Sequence, residues 1–164
     1  MRLLARCRVR RTIDVAAPAG QVWAVLVDWP RHGAWVPLTT VRTLTPSGLG
    51  LGARFVGRTA APGPLRVLGF DDVMEVVAWQ PPEGGATGRC EVVKLGRVVR
   101  GGAEFEVEPL DAERTRVHWV EDVVVPRPLV RPVAVIAGWG LDRVLRAMAR
   151  DIEHDRENDL GESR

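Results

Sequence analysis

The chain has 164 residues, 46 % of them hydrophobic, and a formal charge of +2. That length supports one domain with its own core, and that composition excludes a disordered chain. The small charge excess argues against a nucleic-acid binder, no apolar run is long enough to span a bilayer, and the basic opening MRLLARCRVRR lacks the apolar stretch of a signal peptide.

A cytoplasmic protein without stable membrane insertion is therefore expected. Cys7 and Cys90 are far apart, and nothing requires them to pair. The basic residues are nearly all arginine. Lys94 is the only lysine, and it reads as compositional bias rather than as a site.

Residues 5–15 (ARCRVRRTIDV) alternate as a strand, with Cys7, Val9, Ile13 and Val15 on one face and Arg11 interrupting it. Pro18 suits the first turn of a helix, and Val22, Trp23, Val25 and Leu26 give that helix an apolar stripe. Asp28 can cap a second short helix with Pro30 near its start, and Pro37 ends it. Two short strands follow, Thr39–Thr45 and Ala53–Ala60, joined by PSGLGLG. After the turn APGP comes Arg66–Trp79, as one strand or two pieces, then turn material in EGGATG. Cys90–Arg100 and Ala103–Glu108 are the next strands; LDAERT turns into the last, Val117–Val125. From Val133 to His154 the apolar spacing becomes helical through Ile136, Leu141, Val144, Leu145, Met148 and Ile152. The tail DRENDLGESR is polar and is expected to fray.

One strand, two short helices, about six strands and one long helix make an α+β protein, with residues 1–156 as a single domain and 157–164 as a polar tail. An antiparallel sheet with one apolar face must cover that face, and the terminal helix is the only element large enough. A curved sheet wrapped around one helix leaves a gap, closed at one end by the two short helices, where a ligand would sit.

This order, together with Ile13-Asp14-Val15-Ala16-Ala17-Pro18, Val22-Trp23-Ala24-Val25-Leu26, Asp28, Trp35, Glu75-Val76-Val77, Trp79, Pro81-Pro82, Gly102 to Val107 and Thr115 to Trp119, resembles the START/Bet v 1-like (SRPBCC) superfamily, and within it the polyketide cyclase/dehydrase-like group. The resemblance runs from about Arg8 to about Asp155. It implies a helix-grip fold, a curved antiparallel sheet around a long C-terminal helix, with a ligand cavity. It does not imply a particular reaction.

Strand parity then selects the cavity wall. Val117, Trp119, Glu121 and Val123 share a face, as do Ala103, Phe105 and Val107, and Ala53, Phe55 and Gly57. Phe55, Phe105 and Trp119 are either pocket wall or ordinary core. Glu121 is a carboxylate on an otherwise apolar face, which would suit a general acid/base or an anchor for a ligand hydroxyl. The alternative is a register break near the strand end that leaves it exposed or paired with an arginine. Trp23 reads as core; Trp29 and Trp35 would close the cavity mouth, with His32 beside them as a ligand contact or a surface histidine. His118, on the opposite parity from Trp119, should face solvent, as should His154. Arg54 and Arg58 read as a solvated strand face. Trp139, between Gly138 and Gly140, and Leu145 on the long helix complete the candidate wall. GLGLG precedes a strand rather than a helix, so it is not a dinucleotide fingerprint. No metal spacing and no cofactor motif is found.

The leading reading is a binder of a small apolar or aromatic molecule such as a lipid, polyketide or isoprenoid, acting as a monomer or homodimer. A polyketide cyclase or dehydratase using Glu121 is the alternative, and a protein-interaction module is the third. One isolated carboxylate in the cavity would suit binding; two convergent polar groups would suit catalysis. An exposed apolar patch at the tryptophan corner, outside the cavity, would favour a protein partner.

Overall fold

The computed structural model describes residues 3–60, 63, 69–96 and 100–162. Strand β1 (Leu4–Val15) leads into helix α1 (Ala19–Leu26), one 3-10 turn (Trp29–Arg31) and the single-turn α2 (His32–Trp35). Six strands follow: β2 (Thr39–Thr43), β3 (Arg54–Ala60), β4 (Gly69–Gln80), β5 (Gly88–Lys94), β6 (Gly101–Pro109) and β7 (Thr115–Pro126). A 3-10 turn then enters the long α3 (Val130–Glu162). The strands form one antiparallel, curved sheet in the order β1-β7-β6-β5-β4-β3-β2, with β1 closing against β7.

Alternation and helical spacing explain the core. On β6 and β7, Phe105, Val107, Val117 and Trp119 are buried, whereas Glu104 and Glu106 point to the other face. On α3, Leu141, Leu145, Met148 and Ile152 recur on one face and are buried against the sheet. Each such aliphatic side chain contributes about 1.5–3 kcal/mol by leaving water.

Several boundaries depart from the sequence reading. The strand expected over 90–100 ends at Lys94, and residues 97–99 lie outside the described residues. Of the segment 66–79, residues 66–68 lie outside them too, and β4 begins at Gly69. Pro18 occupies the cap position before α1 rather than its first turn, and Asp28 makes no side-chain capping bond. Helix α3 starts three residues earlier than expected, with Pro132 in its first turn, where a missing N–H is harmless. It also continues through the polar stretch to Glu162, so that stretch is helical rather than frayed.

The short-helix corner is fastened to α3 by charge. Arg31 Nε donates to Asp151 Oδ2 at 2.7 Å, and Arg31 also pairs with Asp155. Trp35 Nε1 donates to the same Asp151 oxygen at 3.0 Å. The Arg31 hydrogen bond, with that of Trp35, holds the Asp151 carboxyl below its usual range.

Candidate functional site

Between the concave face of the sheet and α3 lies a cavity of about 520 Å3, a size suited to a small organic ligand. Its walls are mostly apolar. Trp29 stacks on Phe55 with ring centroids 4.1 Å apart and planes 5° from parallel. The Trp29 indole N–H donates to the Gly48 carbonyl at 2.7 Å, so the glycine-rich loop holds the ring in place. Gly48 adopts φ +65, a backbone conformation that favours glycine. Phe105 and Trp119, register partners on β6 and β7, continue the wall with centroids 5.6 Å apart.

A cluster of three ionisable side chains interrupts this wall, with His32 and Arg143 elsewhere on the lining. Asp72 on β4, Lys94 on β5 and Glu121 on β7 all line the cavity. Lys94 Nζ donates to Asp72 Oδ2 at 2.7 Å and stands 4.0 Å from Glu121 Oε2. Glu121 Oε1 accepts the indole N–H of Trp119 at 3.2 Å. The second oxygen of Asp72 is buried without a partner among the described residues. Sheet register makes room for the cluster: Gly57 pairs with Asp72, Ala103 with Glu121 and Gly101 with Lys94, so each charged side chain faces a small neighbour.

Burial is the largest single influence on both Glu121 and Lys94. It pushes the Glu121 carboxyl above its usual range, against the opposing pull of Lys94 and the Trp119 hydrogen bond. Burial pulls Lys94 down, but the charges of Glu121 and Asp72 and the Asp72 hydrogen bond outweigh it, and the ammonium is favoured. Two carboxyls therefore share one cation in a cavity of low polarity. A fixed ammonium can stabilise an oxyanion, and a carboxyl of raised pKa can trade a proton.

His32 also lines the cavity, among Trp29, Trp35 and Trp119. Its Nε2 lies 2.8 Å from the Leu26 carbonyl, which accepts only from a protonated nitrogen. Burial lowers its pKa to about 4, so the ring is neutral and Nδ1 carries the lone pair.

The fold thus brings Trp29, His32, Phe55, Phe105, Trp119 and Glu121 to one cavity, with Trp139 at its rim. The register holds through Glu121, which pairs across with Ala103 and Val9. Trp35 and Leu145 are corrections. Trp35 is buried with its N–H spent on Asp151, and Leu145 is buried in the core; neither lines the cavity. His118 lies on the outer face, its ring bonded to Thr12 and Glu108. His154 is exposed. Arg54 and Arg58 are exposed and pair with Glu75 and Asp71. Trp79 packs edge-on against Trp23. Cys7 and Cys90 are buried free thiols on separate strands.

Sequence reasoning missed Asp72 and Lys94. The signal was present: Phe70, Asp72, Met74 and Val76 alternate inward on β4, as Cys90, Val92 and Lys94 do on β5. Among the described residues, no group of three or more histidines, cysteines or acids is placed to hold a metal. No helix among them is long and apolar enough to cross a membrane.

These features define a helix-grip α+β protein with a ligand-sized cavity. The chain belongs to the family described as polyketide cyclase / dehydrase and lipid transport, whose profile matches residues 6–154. Solved structures with the same fold include the Zhui aromatase/cyclase from a Streptomyces species, 20 % identical, covering 91 % of this chain and 94 % of that one, TM-score 0.65. A START superfamily protein from Mycobacterium smegmatis is also 20 % identical, covering 90 % and 97 %, TM-score 0.68. Norcoclaurine synthase from Thalictrum flavum, in complex with dopamine and hydroxybenzaldehyde, is 13 % identical, covering 93 % and 89 %, TM-score 0.61. Comparison with curated proteins gave no match. Family and fold fit a ligand-binding or polyketide-cyclase role.

Proposed function

We propose that this chain binds a small apolar or aromatic carbonyl compound in the cavity and promotes its ring closure and dehydration by acid/base chemistry. The observation that carries this reading is the convergence of Asp72, Lys94 and Glu121 on one apolar wall. Two convergent polar groups are what catalysis needs and what binding alone does not.

In this reading Trp29, Phe55, Phe105 and Trp119 hold the ring system or chain, His32 accepts a hydrogen bond from a ligand hydroxyl, and Trp139 contacts the ligand at the rim. Glu121, as carboxylate, removes a proton from the carbon beside a carbonyl. The enolate carbon attacks a second carbonyl within the folded substrate, and the Lys94 ammonium stabilises the oxyanion that forms. Glu121 returns its proton to that oxygen. Loss of the hydroxyl with a neighbouring proton releases one water and leaves the double bond. Asp72 orients Lys94 and takes no proton. No cofactor enters this scheme. A reducing, cytoplasmic setting accords with the two buried free thiols, and a monomer or homodimer would serve.

The test offers an aromatic diketone able to close a ring, with the loss of one water followed by mass spectrometry and binding followed by tryptophan fluorescence. Turnover by the native chain is expected, reduced roughly 100-fold or more in Glu121→Gln and Lys94→Met with binding retained. Tight binding without turnover would leave a carrier of the same ligand class, the reading favoured if the Lys94–Asp72 pair serves only to orient a ligand carbonyl. Absence of both would overturn the cavity's role.

A further inference from the structure

The exterior carries an apolar patch that the cavity chemistry does not use. At the start of α3, Val135, Ile136 and Trp139 are 72 %, 69 % and 68 % exposed, and Leu129 just before the helix is exposed too. This is not the Trp29–Trp35 corner, where the indoles are buried. Two of these residues, Ile136 and Trp139, also line the cavity, so the patch forms part of its rim. On another stretch of that rim, Leu38 is exposed between the lining residues Pro37 and Thr39.

Within the segment that carries the patch the charge has one sign, and the nearest acid along α3, Asp142, is paired with Arg11. Residues 123–141 (VVVPRPLVRPVAVIAGWGL) contain no carboxylate, hydroxyl or amide side chain. Arg127 and Arg131 within them, and Arg143 one turn beyond Trp139, have no carboxylate within 4.0 Å among the described residues. Among the other described arginines, Arg6, Arg11, Arg31, Arg54, Arg58, Arg89, Arg114 and Arg116 each pair with an acid, whereas Arg8, Arg10, Arg42, Arg100, Arg146 and Arg150 do not. A protein interface ordinarily carries a mixed polar rim, with side-chain acceptors as well as donors, around its apolar centre. Residues 123–141 supply apolar side chains, one indole and guanidinium donors, and no side-chain acceptor. Those are the groups that lodge at a phospholipid interface, the indole and aliphatics among the upper acyl chains and the arginines at anionic headgroups.

We propose that the rim formed by Leu129, Arg131, Val135, Ile136 and Trp139 docks on an anionic phospholipid surface. Docking there sets the cavity mouth against the bilayer, so an apolar ligand passes between the two without crossing water. The interaction is peripheral and salt-sensitive, because it rests on a few exposed side chains and headgroup charge.

The experiment is co-sedimentation of the full chain with phosphatidylcholine vesicles and with vesicles of phosphatidylcholine and phosphatidylglycerol in equal parts. Binding to the anionic vesicles alone is expected, released at high salt. Arg131→Glu and Val135→Glu do not touch the cavity wall, so ligand binding stays as in the native chain while vesicle affinity falls roughly tenfold in each. Equal sedimentation of native and variant chains, or none with either vesicle, overturns the proposal. So does a dimer in analytical ultracentrifugation that Val135→Glu dissociates, since a second copy would then cover the patch.

Discussion

Lys94 Nζ on β5 and Glu121 Oε2 on β7 stand 4.0 Å apart across the intervening β6, while Lys94 is already bonded to Asp72 at 2.7 Å. The three residues come from separate strands, and the curvature of the sheet brings them together. The cluster is a property of the fold, and each member holds another's charge state.

Lys94→Met removes the cation of this cluster and leaves the Asp72 carboxylate without its partner. Breaking such a pair by removing one side costs about 3–5 kcal/mol. Urea unfolding should show this loss, and the double variant Asp72→Leu/Lys94→Met should recover most of it. If the double variant is no better than the single, the pair is not what the loss reflects.

The raised pKa of Glu121 fixes the sign of a pH effect. The folded state holds that proton more tightly than the unfolded chain. Its contribution is fully present below the unfolded value, about 4.5, and is lost as pH rises through the folded value. Glu121→Gln abolishes this loss. Its unfolding midpoint should match or trail the native chain in acid and gain on it towards neutral pH. A constant difference across the range would contradict the burial of Glu121.

His32 gives the opposite slope. Its folded pKa of about 4 lies below the unfolded 6.5, so its contribution is present above 6.5 and is lost as pH falls towards 4. Over that window it amounts to about 3 kcal/mol at most. In His32→Gln the dependence of stability on pH between 6.5 and 4 should flatten by one proton, as read from midpoints at several pH values.

Two tryptophans should separate fold from site. Trp35→Phe keeps a ring but forfeits the hydrogen bond to Asp151. A hydrogen bond to a charged group contributes about 1.5–3 kcal/mol, so the variant melts earlier and binds ligand unchanged. Trp119→Phe frees Glu121 Oε1 and should shift the acid limb of the activity profile, where the carboxyl loses its proton, to higher pH, since one influence holding that carboxyl down is gone.

The two glycines beside Trp139 should also differ. A methyl on Gly140 meets nothing within 4 Å, whereas one on Gly138 would collide with the Arg11 guanidinium, which pairs with Asp142. Gly140→Ala should stabilise α3 by up to about 1 kcal/mol. Gly138→Ala should gain less, because Arg11 must give way. Thermal midpoints of the two variants decide this.

The order of elements was legible because each rests on local pattern. Alternation on β6 through Phe105 and Val107, and helical spacing through Leu141, Leu145, Met148 and Ile152, are present in the chain itself. Element ends were less so. Lys94 ends β5, and the polar stretch after His154 stays helical, because tertiary contacts and helix propensity, not apolar pattern, decide those ends. Within the site, parity led to Phe55, Phe105, Trp119 and Glu121 because their strands alternate cleanly. It failed for Trp35, whose side chain is turned to α3 by Asp151, a partner more than one hundred residues away. Asp72 and Lys94 were passed over for another reason. A lone lysine in an arginine-rich chain looks like codon bias, and only the register of β4 with β5 sets it beside an acid.

That lone lysine has a practical side. Apart from the α-amino group, the chain offers amine-directed reagents one target, and it sits inside the cavity, one-tenth exposed. A second mass increment on acylation, beyond that of the α-amino group, would therefore count open cavities. Protection from that increment would titrate any occupant, whatever its colour, fluorescence or fate.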